Sequence, residues 1–198
     1  MNEYDQLVAF IKELDRLKDT TRTAWTKEGR QESVAEHSWR LAMFAMVLVD
    51  YFPGVDRDRV VRMSLVHDLG EAYEGDISAK IGVSKEDKLK REEAALRKLF
   101  APLPESIRSG FLALWREYND GKSQEAKIVK ALDKIETIIQ HNQGDNPSDF
   151  DYEFNLQYGK EYMFSEPVIQ SIREIIDGET RRKVKDNKPA LEGRRKDK

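Results

Sequence analysis

The chain has 198 residues, 36% charged and 39% hydrophobic, with Lys+Arg 34 against Asp+Glu 37 and a formal net charge of -3. That length suits one domain with an economical core, and the nearly cancelled charge excludes a global pull toward nucleic-acid polymers or anionic membranes. The absence of cysteine excludes disulfides and thiolate metal sites. No segment approaches the roughly 18 consecutive apolar residues of a membrane span, and the acidic start Met1-Asn2-Glu3-Tyr4-Asp5 lacks the basic and apolar regions of a signal peptide, so a cytoplasmic protein is expected.

From Glu3 to Leu17 the apolar positions Leu7, Val8, Phe10, Ile11, Leu14 and Leu17 recur at three and four, which predicts an amphipathic helix. Asp19 to Arg30 has no period and reads as a loop. It holds a tryptophan, Trp25, in polar company, which serves either to anchor the loop or as one wall of a ligand pocket. Ser33-Val34-Ala35-Glu36 is a capping box opening a helix to about Tyr51. Val34, Leu41, Phe44 and Leu48 form its stripe, and His37 falls on that stripe, pointing inward either as a hydrogen-bonded core residue or as a ligand. Pro53-Gly54 stops this helix, and Asp56 caps the next, Arg57 to about Gly70.

That second helix ends in Val66-His67-Asp68-Leu69-Gly70-Glu71, with Asp76 shortly after. An imidazole and a carboxylate buried there without partners would cost roughly 2–7 kcal/mol or more, and a divalent cation is an economical compensation. His67 and Asp68 lie about 100° apart on a helix, so both reach an ion across the seam, while Glu71 follows one turn after His67. Lys85 to Phe100 is a charged helix whose charges read as a solvated face. Pro102 and Pro104 precede a helix ending near Tyr118. Ser123 caps another from Gln124 to about His141, with the stripe Ile128, Leu132, Ile135 and Ile139 and with Asp133 on its margin. An aromatic stretch, Phe150 to Phe164, precedes a last helix from Pro167 to Ile176. The chain is basic and poor in apolar residues from Arg181 onward, which reads as a frayed, solvated tail over 181–198. No repeat and no strand is expected, so the fold class is all-α.

Three helices thus supply His37, then His67 with Asp68, then Asp133. Such a nitrogen and oxygen donor set suits a divalent transition metal and hydrolytic chemistry. In order and context the set resembles the HD-domain metal-dependent phosphohydrolases, and more closely the branch of bacterial 5'-deoxynucleotidases and their eukaryotic HD-domain relatives. The matching segments are Glu32 to Ser38, Val66 to Glu71 with Gly75-Asp76-Ile77, Ser84-Lys85-Glu86 with Arg91-Glu92-Glu93, and Glu125 to Lys134; together the likeness runs from about Leu7 to His141.

This resemblance implies an HD-domain helical bundle over residues 1–180 and one divalent metal ion, manganese, cobalt or similar, on His37, His67, Asp68 and Asp133. Glu71 then acts as base or orienting group beside the attacking water, and Asp76 lies near the substrate phosphate and leaving oxygen. Arg22 and Trp25 line the sugar pocket, although Ala24 rather than an arginine precedes the tryptophan, as in the eukaryotic branch. The implied activity is hydrolysis of (deoxy)nucleoside 5'-monophosphates by a homodimer. The alternatives are an HD hydrolase of nucleoside polyphosphates, alarmones or cyclic phosphodiesters, and a non-catalytic helical module that keeps the metal for structure.

Overall fold

Helix α1, Glu3–Glu13, opens on a reciprocal capping box in which the Asp5 amide donates to Asn2 Oδ1 at 2.9 Å and the Asn2 amide donates to Asp5 Oδ2 at 3.0 Å. The computed structural model describes residues 2–73, 75, 84–163 and 166–195. The helix expected to reach Leu17 breaks after Glu13, and the short α2, Arg16–Asp19, follows. Within the expected loop lies a two-stranded hairpin, β1 Thr21–Trp25 and β2 Gln31–Ser33. Threonine and tryptophan favour extended backbone, and Gly29 at φ 76 supplies the left-handed residue of the turn.

The Ser33 box forms as read: the Glu36 amide donates to Ser33 Oγ at 3.2 Å, and the Ser33 amide donates to Glu36 Oε2 at 2.9 Å. It starts α3, Val34–Leu48, which packs against α4, Arg57–Val66. Asp56 caps α4, its Oδ1 accepting from the Arg59 amide at 3.0 Å. A 3-10 turn, Leu69–Ala72, follows, then α5, Lys85–Leu99, which packs on that turn, and α6, Glu105–Asp120, which packs on α4. Helix α7, Gln124–Gln143, α8, Tyr152–Asn155, and α9, Pro167–Arg195, complete the chain. The all-α class holds, with the small hairpin added. No helix among the described residues is long and apolar enough to cross a membrane.

The chain divides into two compact units, one of Met1–Thr23 with Glu32–Val129, the other of Ala24–Gln31 with Lys130–Lys198. The first is built on Phe10, Val34, Val66, Leu96, Leu99, Phe100, Leu112 and Trp115, all buried in one cluster. In the second, Arg173 of α9 donates to the carbonyls of Tyr158 (2.8 Å) and Asn155 (2.9 Å) and to Asp177 Oδ1 (2.7 Å). Asn142 and Thr180 exchange hydrogen bonds at 2.9 and 3.2 Å in the buried interior of this unit. These polar anchors help explain why α9 runs on beyond the Pro167 to Ile176 span expected from apolar spacing. Helical backbone continues to Arg195, through much of the segment whose composition reads as a frayed tail.

Candidate active site

The first unit gathers His37, His67 and Asp68. His37 faces inward from the first turn of α3 and is 0% exposed. His67 forms the C-cap of α4, and Asp68 leaves helical geometry at φ -105, ψ 8. From there the Asp68 carboxylate lies against both imidazoles. Asp68 Oδ2 lies 3.1 Å from His67 Nε2 and 3.6 Å from His37 Nε2, and the two rings stand 5.3 Å apart.

The tautomer of His67 follows from its other nitrogen. Nδ1 lies 2.9 Å from the Ser64 carbonyl oxygen, which only accepts, so in the neutral ring Nδ1 carries the proton and Nε2 the lone pair. Nε2 is buried and has no hydrogen-bond partner among the described residues; the nearby Asp68 oxygen is not aligned as one. A nitrogen lone pair held 3.1 Å from a carboxylate oxygen is repulsive until a cation sits against both. The donors fit a divalent metal, and the Ser64 contact is the outer hydrogen bond that orients ligating histidines. The Tyr118 and His67 rings also meet edge-on, their centroids 5.1 Å apart.

Asp133, in the second unit, is 4% exposed, and its carboxylate lies 2.9 Å from Lys134 Nζ. Glu71 lies in the 3-10 turn, buried, its amide donating to the Asp68 carbonyl at 3.0 Å. Asp76 lies outside the described residues. Arg22 Nη1 donates to Glu32 Oε2 at 2.8 Å in a part-buried pair, with Arg40 3.8 Å from the other Glu32 oxygen. Trp25 belongs to the second unit, its ring meeting Phe150 edge-on at 6.2 Å and its carbonyl accepting from Gln140. Those contacts are the anchoring role.

Two charged residues of α5, Lys88 and Glu92, depart from a purely solvated face: both are only partly exposed. Lys88 Nζ lies 3.7 Å from Glu71 Oε1 and 3.4 Å from Glu92 Oε1. Burial is the main influence raising the Glu92 carboxyl above its ordinary value; the Asp68 charge acts in the same sense and Lys88 opposes it. The signal was available, because Glu92 falls on the helical stripe Leu89, Leu96, Leu99 and Lys88 stands one turn before it.

A model of the HD domain matches residues 14–173, so the chain belongs to the HD-domain family. It is 41% identical to the 5'-deoxynucleotidase HDDC2 of Homo sapiens over 68% of this chain and 66% of that protein, just under two thirds of its length. It is 36% identical to the Mus musculus protein of the same name over 85% of this chain and 86% of that one. Among solved structures it resembles a predicted metal-dependent phosphohydrolase from Magnetospirillum magnetotacticum MS-1, with a TM-score of 0.75 and 29% identity, covering 91% of this chain and 94% of the other.

Proposed function

We propose that this protein is a metal-dependent phosphomonoesterase that hydrolyses (deoxy)nucleoside 5'-monophosphates to nucleoside and phosphate. The observation that carries the metal is the convergence of His67 Nε2 and His37 Nε2, both buried, with Asp68 Oδ2 from a partly buried carboxylate, where a cation is needed. The substrate class is supported by relatives named 5'-deoxynucleotidase. Asp133 is the fourth ligand in this reading, and the ion is one divalent metal, manganese, cobalt or similar. When bound, it supplies Lewis-acid stabilisation of phosphoryl oxygens and acidifies water.

The chain's own groups do the rest. The Ser64 carbonyl holds His67 in the tautomer that presents Nε2, so donor geometry is set before substrate arrives. Glu71, buried three residues after Asp68, takes the proton from the attacking water. Asp76 serves the leaving oxygen. Arg22 and Trp25 are assigned to the sugar by the family resemblance, in addition to the Glu32 pair of the one and the Phe150 contact of the other. The active form is a cytoplasmic homodimer. Trp39, Met43, Met46 and Val47 are all exposed at helical spacing on α3, a continuous apolar face of the kind that packs on a second copy of itself.

Phosphate release from a panel of ribo- and deoxynucleoside 5'-monophosphates, with manganese, cobalt, magnesium or EDTA, tests the reading. Metal-dependent release favouring the deoxy series is expected. Release only from polyphosphates, alarmones or cyclic diesters overturns the substrate class.

A further inference from the structure

We infer that Lys88 is a positioning residue for Glu71, presented by α5 and steadied by Glu92; the inference rests on the catalytic role proposed above for Glu71. The arrangement begins at Gly70, between Asp68 and Glu71. A Cβ there would lie 2.8 Å from Glu92 Cβ and 3.2 Å from the Glu92 backbone Cα. Only glycine lets α5 approach the 3-10 turn this closely. The approach puts Glu92 over the turn and Lys88, one helical turn earlier, beside the Glu71 carboxylate.

The exposures differ in an instructive way. The Lys88 side chain is 36% exposed, whereas that of Glu71 is 5% and that of Glu92 is 14%. The ammonium therefore keeps part of its hydration while giving a buried carboxylate a cation 3.7 Å away. Lysine has a flexible stem and three donors, and alone it would sample solvent. Glu92 Oε1, at 3.4 Å, restrains it from the same helix. Ser84 fixes the start of α5, its Oγ accepting from the Asp87 amide at 3.1 Å, so the helix that carries Lys88 is itself anchored four residues before it.

Lys88 then acts on the chemical step through Glu71, and not on substrate binding. A carboxylate that must take a proton loses rate steeply when its direction wanders, about a hundredfold for an ångström of misplacement. The test is steady-state kinetics of the full-length, manganese-loaded protein on deoxyadenosine 5'-monophosphate, with Lys88→Ala, Lys88→Arg, Glu71→Gln and the Lys88→Ala/Glu71→Gln pair. Lys88→Ala is expected to lower kcat about tenfold to a hundredfold with KM within about twofold, and Lys88→Arg to restore most of the loss.

In the Glu71→Gln background, Lys88→Ala is expected to cost nothing further. A raised KM with kcat unchanged, unaltered kinetics, or losses that multiply in the double variant would each overturn the inference while leaving the phosphomonoesterase reading intact. If the unsubstituted protein releases no phosphate from any monophosphate, that reading fails and the inference falls with it.

Discussion

Replacing Gly70 by alanine tests how closely α5 packs against the turn that follows His67 and Asp68. The added Cβ would stand 2.8 Å from Glu92 Cβ, 3.1 Å from its Cγ and 3.2 Å from its Cα. Carbon atoms pack best at about 3.5–4.0 Å, so Glu92 Cβ must recede by at least about 0.7 Å, and a Cβ cannot swing aside as a side-chain tip can. Overpacking of this kind costs about 1–3 kcal/mol. Gly70 is not in the left-handed region, so alanine also returns about 0.4–1 kcal/mol by restricting the unfolded chain. The net expectation runs from about zero to a loss of about 2.6 kcal/mol, read as a lower urea midpoint at unchanged m. Adding Glu92→Gly removes the nearest clashing carbons and should recover about 1 kcal/mol relative to the sum of the single changes. A Gly70→Ala protein as stable as the parent, in which Glu92→Gly recovers nothing, would refute the close approach, and with it the route by which Lys88 reaches Glu71.

Other consequences are more local. Ser33→Ala removes the side-chain acceptor of the Glu36 amide and should cost about 1 kcal/mol in urea unfolding, one residue before the turn that carries His37. Ring nitrogen NMR of His67 in metal-free protein at neutral or higher pH should report a protonated Nδ1 and an unprotonated Nε2; the opposite tautomer would remove the argument for a cation there. The hydrogen bond from Arg59, more than any other influence, holds the Glu117 carboxyl below the usual glutamate value, with help from Ser123. A depressed folded value means that its contribution is fully present above about pH 4.3 and is lost as pH falls through the folded value. Glu117→Gln should therefore lower stability at pH 7 and flatten its acid loss, by no more than about 1 kcal/mol for so exposed a pair.

Where local chemistry decides structure, the sequence is easy to read. The Ser33 and Asp56 caps, the inward face of His37 and the turn at Gly121, whose φ is 66, all follow from residue type and spacing. The hairpin is harder, because three-residue β2 is too short for alternation to register, although Gly29 in a polar turn marks it. The far end of α9 escapes because its buried anchors are polar. Arg173 and Thr180 are buried by hydrogen bonding and do not appear on an apolar stripe. Lys88 and Glu92 escape for the opposite reason: in a helix so rich in exchangeable surface ion pairs, one pair that faces inward looks like the others.

The site shows the same limit. Periodicity places His67 and Asp68 on adjacent helical faces. They meet at 3.1 Å where Asp68 leaves helical angles and the helix ends at His67, three residues before Gly70, the residue that marks the helix end in the sequence.

The most direct measurement is phosphate release from deoxyadenosine 5'-monophosphate by EDTA-treated protein as manganese is added back, run beside Asp68→Asn. No release is expected without metal, with recovery as manganese occupies the site and no recovery in the variant. Full release in EDTA, or an Asp68→Asn protein that manganese restores to the parent rate, would contradict metal-dependent hydrolysis at this site.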